Sequence, residues 1–369
     1  MSSLAPETTK PVRLGATDRL LPVWILAAMA LGLALAVFVP AFGEALHSFS
    51  IGSVSVPIAI GLLVMMYPVL AKVRYSDARA VAGDRKLLIS SLVMNWLLGP
   101  ALMFALAWAF LPDLPEYRTG LIIVGLARCI AMVLIWNDLA CGDREAEAFL
   151  VAVNSVFQVI AFSALGWFYL QILPTWLGLP TTSASFSIWA ITLSVLVFLG
   201  IPLLAGYLSR RIGERARGRA WYEGSFLPKV GPFALYGLLF TIVMLFALQG
   251  QHVIDRPLDV VRIAVPLLLY FAVTFLIGFI VGKLIGLPYE RTTTLAFTAA
   301  GNNFELAIAV AIGTFGATSG QALAGIVGPL IEVPVLVALV YVALWLRPRM
   351  FPDVSPASVE SELPVADRV

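Results

Sequence analysis

The chain has 369 residues, of which 60% are hydrophobic and 12% charged, with a mean hydropathy of +0.94. Soluble domains carry about 25% charged residues, so a water-soluble enzyme is excluded and a polytopic membrane protein remains. A net charge of +2, with no basic patch away from the loops, leaves no footprint for nucleic acid. Two cysteines (Cys129, Cys141) and two histidines (His47, His252, both expected in loops) make neither a disulfide scaffold nor a four-ligand metal site. No cofactor is implied.

In chain order, apolar runs long enough to span a bilayer fall at 21–39, 54–71, 87–110, 119–139, 147–173, 187–207, 231–249, 263–286, 292–313 and 322–346. They lack alternation at a period of two, which disfavours a β-barrel. Orientation follows from Lys and Arg. With the N-terminus inside, 20 of the 24 fall on the cytoplasmic side, three outside (Arg118, Arg256, Arg262), and Arg128 lies within a span. Both termini are therefore expected in the cytoplasm. No span reads as a cleaved signal peptide. Residues 1–18 and 350–369 read as disordered cytoplasmic tails, and 219–230 as a short interfacial helix. Pro57, Pro68, Pro100 and Pro334 are expected to kink their spans.

Ten spans divide into two five-helix repeats, 19–173 and 187–349, with an extracytoplasmic linker at 174–186. Spans 2, 3 and 5 recur as spans 7, 8 and 10 at an offset of 176–177 residues. Because five is odd, the second repeat enters the membrane in the opposite sense. Inverted repeats of this kind are common in secondary transporters, whose sites lie near the midplane. No phosphate-binding loop is present, so active transport would draw on an ion gradient and need no soluble ATPase subunit.

Ionisable side chains inside spans cost about 2.5–3.5 kcal/mol each on insertion scales, which makes them functional candidates. Arg128 and Asp138 lie in span 4, Glu305 in span 9 and Glu332 in span 10. Cys129 adjoins Arg128, and an offset of 176 carries Cys129 onto Glu305. Span 9 contains Gly301-Asn302-Asn303, poor helix material that predicts a break in mid-membrane. Span 4 carries a weaker signal at Gly125 and Arg128. Each residue also has a structural reading: Cys129 as a small packed hydrophobe, and Glu332 as the salt-bridge partner of Arg128. Asn137 and Asp138 fit helix-end anchors, and Asn95, Asn154 and Gln249 interhelical hydrogen bonds. A lone carboxyl at Glu305 in low dielectric suits a proton carrier.

These residues resemble the arsenical-resistance-3 family of arsenite efflux permeases, within the bile acid/arsenite/riboflavin transporter superfamily. The matching stretches are 61–68, 94–100, Arg128-Cys129-Ile130-Ala131-Met132-Val133 through Trp136-Asn137-Asp138, 246–250, Asn302-Asn303-Phe304-Glu305 and 328–334. The resemblance implies an all-α fold like that of the bile-acid sodium symporters, with broken spans 4 and 9 crossing at the binding site. It also implies export of trivalent arsenic, as As(OH)3, in exchange for protons, with antimonite left open as a further substrate; the lack of targeting signals suits a bacterial inner membrane. Cys129 and Glu305 fall on the cysteine and glutamate that the family requires. The expected substrate site is Cys129, Glu305, Asn302, Asn303 and Arg128, with Glu305 and Glu332 coupling protons. The alternative on the same scaffold is a sodium-coupled organic-anion symporter using Asn302, Asn303 and Glu305 as sodium oxygens.

Overall fold

The computed structural model describes residues 20–51, 54–72, 84–130, 132–181, 188–255, 257–316 and 318–352. Apart from a two-stranded antiparallel pair, β1 (Ser50–Ile51) with β2 (Val54–Ser55), these residues form helices and their connections. The helices are α1 (Leu21–Phe38), α2 (Pro40–Ser48), α3 (Val56–Lys72), α4 (Arg85–Phe110), α5 (Pro115–Leu126), α6 (Val133–Leu139) and α7 (Arg144–Trp176). There follow α8 (Trp189–Arg217), α9 (219–230), α10 (Pro232–Asp255), α11 (Pro257–Leu284), α12 (Tyr289–Ala300), α13 (Phe304–Phe315) and α14 (Gly320–Met350). Among the described residues six helical runs are long and apolar enough to cross a membrane: α4, α7, α8, the run Arg219–Leu248 joining α9 to α10, α11 and α14. Shorter apolar helices lie at Val23–Phe38, Val56–Lys72 and Phe304–Phe315. The chain is an all-helical membrane protein.

Local chemistry sets where the helices start. Asp84 caps α4 by accepting from the Leu87 amide at 3.1 Å, and Asp143 caps α7 by accepting from Ala146 at 3.0 Å. Ser319 caps α14 through the Ala322 amide at 3.2 Å. Each relieves one of the amides that a helix start leaves unpaired.

Prolines stand beside widened turns in several helices. Four π-helical turns, Met94–Leu98, Phe168–Ile172, Leu196–Gly200 and Tyr222–Phe226, stand just before Pro100, Pro174, Pro202 and Pro228. A proline ring crowds the carbonyl four residues back. That carbonyl belongs in each case to the central residue of the π turn: Trp96, Leu170, Phe198 or Gly224. The helix widens by one residue there instead of breaking. Pro57 sits in the opening turn of α3, where no hydrogen bond is lost, while α3 and α14 run on through Pro68 and Pro334.

The helices pack as two groups. In one, α10 lies against α1 and α3, and α3 lies against α8. In the other, α11 packs on α12, α14 and α4, while α5 packs on α4 and α14. α13 packs on α14 and reaches across to α8, which also meets α7. His47 and His252, expected in loops, fall within α2 and α10. Beyond span 6 the chain stays helical through α8 and α9, so Arg210, Arg211, Arg215 and Arg217 are helical residues. Residues 1–18 and 353–369 of the tails, residues 182–186 of the linker, Arg74, Arg79, Ala131 and Arg256 lie outside the described residues, as does the Gln249 side chain, while Met350 of the expected C-terminal tail ends α14.

Candidate functional site

Two helices stop in the middle of the second group and meet where they stop. α5 ends at Leu126, after which Ala127 turns extended (φ −88°, ψ 111°) and α6 begins only at Val133. α12 ends at Ala300, Gly301 is extended (φ −70°, ψ 141°), and α13 begins at Phe304. The two interruptions pair as a short antiparallel bridge, Arg128 opposite Asn302. The Cys129 amide donates to the Gly301 carbonyl at 3.3 Å, and the Asn303 amide to the Ala127 carbonyl at 3.0 Å. Broken backbone at membrane depth leaves unpaired polar groups that protein must satisfy; here each break satisfies the other.

Side chains complete the junction. Asn303 caps α13 by accepting from Leu306 at 3.0 Å, and Asn302 Nδ2 donates to the Val124 carbonyl at the end of α5 at 2.6 Å. Gln158 of α7 accepts the Arg128 amide. The Arg128 guanidinium donates to the Gly125 carbonyl and, at 2.8 Å, to the Tyr270 hydroxyl of α11. A cation is thus held on the carbonyl end of α5, where the helix dipole favours it. Gly99 leaves the space, since a Cβ there would stand 2.7 Å from Arg128 Nη1. The Glu332 carboxylate accepts from the Asn302 amide at 3.3 Å.

Arg128, Cys129, Asn302, Asn303 and Glu332 therefore meet at the crossing, all buried. Glu305 stands in the first turn of α13, where the helix N-terminus suits an acid. It is half-buried and lines a small pocket with Leu238, Thr241, Ile242, Leu245 and Phe246 of α10, Ile308 of α13, and Ile326 and Pro329 of α14. Glu305 thus sits on the seam between the two helix groups. Glu305 and Glu332 lie within electrostatic reach of each other.

Two expectations are corrected. No ion pair joins Arg128 to Glu332 among the described residues: the guanidinium is bonded to Tyr270 and Gly125, and Glu332 to a backbone amide. A hydroxyl and a carbonyl satisfy Arg128 at the helix end, which charge inventory alone does not reveal. The register of the two breaks also differs from 176. The matched helices α5 (Pro115–Leu126) and α12 (Tyr289–Ala300) stand 174 residues apart, and across the antiparallel bridge Cys129 pairs with Gly301 and Asn303 with Ala127.

The lesser polar residues divide. Asn137 Oδ1 accepts from Thr294 at 3.0 Å and Asn154 Oδ1 from Trp96 at 3.1 Å, both between helices. Asn95 donates within its own helix, to the Ser91 carbonyl at 2.9 Å. Asp138 pairs with Arg144 at 3.4 Å. Gln158 and Tyr270, which hold Arg128, escaped the sequence reading, and so did a carboxylate. Glu147 is fully buried, and Thr298 Oγ1 of α12 lies 2.7 Å from each of its carboxylate oxygens.

Buried polar atoms without a partner among the described residues gather at the crossing: Arg128 Nε, Asn302 Oδ1, Asn303 Nδ2 and Gln158 Nε2. Donors and an acceptor so placed suit a small neutral solute that both donates and accepts hydrogen bonds.

The model of the Sodium Bile acid symporter family matches residues 59–256. The arsenical-resistance protein Acr3 of Corynebacterium glutamicum is 62% identical over 353 residues, covering 96% of this chain and 95% of that protein. The chain belongs to the sodium bile acid symporter family. Within it, the kinship is to arsenical-resistance proteins: the Acr3 of Alkaliphilus metalliredigens is 34% identical across 93% of this chain and 96% of its own length. An uncharacterized transporter of Synechocystis is 37% identical, with 90% of each chain covered. Family membership makes the chain a transporter and not an enzyme.

Proposed function

We propose that the chain exports arsenite, as As(OH)3, from the cytoplasm in exchange for protons. The observation that carries this reading is the thiol of Cys129 held at a junction of two broken helices among unpaired hydrogen-bonding atoms. Arsenic(III) is soft and prefers sulfur. The thiol displaces one hydroxyl, forming S–As and releasing water, and the reverse step lets the arsenic go. Asn302 Oδ1, Asn303 Nδ2 and Arg128 Nε address the remaining hydroxyls. A single sulfur selects arsenic without the grip of three.

Glu305 takes the proton role, with Glu332 as its neighbour. It lines the seam against α10, so sliding one helix group past the other would turn its carboxyl from one side of the membrane to the other. The reading includes ten spans in two inverted repeats. It is supported by α5 (Pro115–Leu126) and α12 (Tyr289–Ala300), 12 residues each at a spacing of 174. Residues 19–173 and 187–349 make the two halves. The charge asymmetry supports cytoplasmic termini in a bacterial inner membrane. Antimonite, of the same shape and valence, competes for the site.

The test is arsenite flux in proteoliposomes under an imposed pH difference, with sodium replaced by potassium. The reading expects flux that follows the pH difference and ignores sodium. Flux that requires sodium and ignores pH would instead establish a sodium-coupled symporter on this scaffold.

A further inference from the structure

Glu147 has no place in the exchange just described, yet its surroundings are built. It lies one turn inside α7, its amide donating to the carbonyl of the capping Asp143 at 2.9 Å. Both carboxylate oxygens are 2.7 Å from Thr298 Oγ1. A hydroxyl has one hydrogen, so it satisfies one oxygen at a time. Among the described residues no cation lies within 4.0 Å of the carboxylate: Arg144 is paired with Asp138, and Arg291 with Asp84 at 2.7 Å and Asp143 at 3.3 Å. A bare carboxylate fully out of water is costly unless it is paired or takes up a proton.

The groups bearing on it are few. Asp138 of α6 and Asp143 act on it electrostatically, adding negative charge and no positive. α12 presents Thr294 and Thr298, and α4 the apolar Leu87 and Met94 in the cluster around Ala146 and Leu150. α5 and α8 also pack on α7, but their ionisable residues are confined to Glu116–Arg118 and to Tyr207 onward.

Thr298 leads inward. Four residues beyond it, past the end of α12 at Ala300, the Asn302 amide is bonded to Glu332, and Glu332 is within electrostatic reach of Glu305. Three buried or half-buried carboxyls are thus strung along one interrupted helix, from the capped end of α7 to the seam with α10. Beside that line α7 carries a parallel row, Glu147, Asn154 and Gln158, on one face at helical spacing. Asn154 Nδ2 and Gln158 Nε2 are buried without a partner among the described residues, as is the nearby Asn95 Oδ1.

We infer that Glu147 is a second proton-carrying site, the cytoplasmic end of a relay that runs through Glu332 to Glu305. The inference rests on the proton-exchange reading above. A proton leaves the Glu305 carboxyl for the Glu332 carboxylate, passes on to Glu147 along the hydroxyl and amide groups between them, and departs to the cytoplasm. Glu332 and Glu147 return to their starting state, Glu305 regains its proton from the outer side, and no electrons move.

Glu147→Gln tests it, because the amide oxygen still accepts from Thr298 and a merely structural hydrogen bond survives. Infrared difference spectra between acid and alkaline pH should show a titrating carboxyl band in the wild type and in Glu305→Gln that Glu147→Gln lacks. In proteoliposomes Glu147→Gln should lose proton-driven arsenite export by about tenfold or more, while arsenite counterflow without a pH gradient continues. An unaltered spectrum with wild-type export overturns the relay. If the wild type itself ignores the pH gradient, the exchange reading falls and takes the relay with it. Should Glu147→Gln not fold, Thr298→Val removes only the hydroxyl and must move the same band; an unmoved band overturns the inference equally.

Discussion

Replacing Gly301 by alanine perturbs the junction without removing any group assigned to the chemistry. Gly301 has φ −70° and ψ 141°, which any residue adopts, so no backbone strain enters. The whole effect is steric. An added Cβ would stand 2.9 Å from Cys129 Cβ and 3.5 Å from its sulfur, about 0.5 Å inside ordinary contact. The neighbour that must yield carries the bridge. The Cys129 amide already reaches the Gly301 carbonyl at 3.3 Å, and another ~0.5 Å would break that bond and orphan a buried amide. Overpacking a close-packed site costs about 1–3 kcal/mol, and an orphaned buried amide costs about the same. By either route Gly301→Ala should destabilise the junction by about 1–3 kcal/mol, roughly five- to 150-fold in an equilibrium constant. The assay is arsenite export together with thermal unfolding in detergent, with Gly166→Ala as control. At Gly166 in α7 the nearest atom to a new Cβ is 3.7 Å away, so that variant should be neutral or slightly stabilised. Wild-type export and stability in Gly301→Ala would refute the claim that the bridge holds Cys129 in place.

Other outcomes follow from the same geometry. Tyr270→Phe removes the hydroxyl that accepts from Arg128 and should cost about 1.5–3 kcal/mol of stability, read by unfolding; no loss would mean that the Gly125 carbonyl alone secures the guanidinium. Because Arg128 and Glu332 are not paired, exchanging their charges should restore neither folding nor export, and rescue by the double variant would contradict the observed contacts. Asp113, in the connection between α4 and α5, has its pKa lowered from 3.8 to about 2 by the Arg262 hydrogen bond. A depressed carboxylate contributes its stability above the unfolded value and loses it as pH falls toward 2. Asp113→Asn should therefore leave the pH profile of export between 5 and 8 unchanged, and a shifted midpoint would show that the loop takes part in coupling.

The chemistry of particular residues decided what could be read in advance. Gly301-Asn302-Asn303 announces a break because all three disfavour a helix interior, and the structure breaks there. The break after Leu126 has only the weaker signal of Gly125 and Arg128; the chain turns extended at Ala127, where the other break supplies hydrogen bonds, a tertiary cause that local propensity does not show. Arg128 and Glu332 looked like a pair when counted as charges, but helix ends and hydroxyls satisfy ions as well as opposite charges do. Glu147 escaped because it falls where span 5 begins and reads as a solvated end. Only the packing of α12 across it reveals that it is buried. Of the prolines expected to kink their spans, Pro100 stands behind a π-helical turn, as do Pro174, Pro202 and Pro228, a widening that follows from how the preceding carbonyl relaxes and that helix propensity does not announce.

The central claim is that one thiol at the crossing selects arsenite and a proton gradient drives it out. Arsenite accumulation in everted membrane vesicles, with and without a protonophore, for wild type beside Cys129→Ser, tests it directly. The account predicts accumulation in energised wild-type vesicles that collapses with the protonophore and is absent from Cys129→Ser. Accumulation in Cys129→Ser that matches the wild type, or wild-type uptake indifferent to the protonophore, would contradict it.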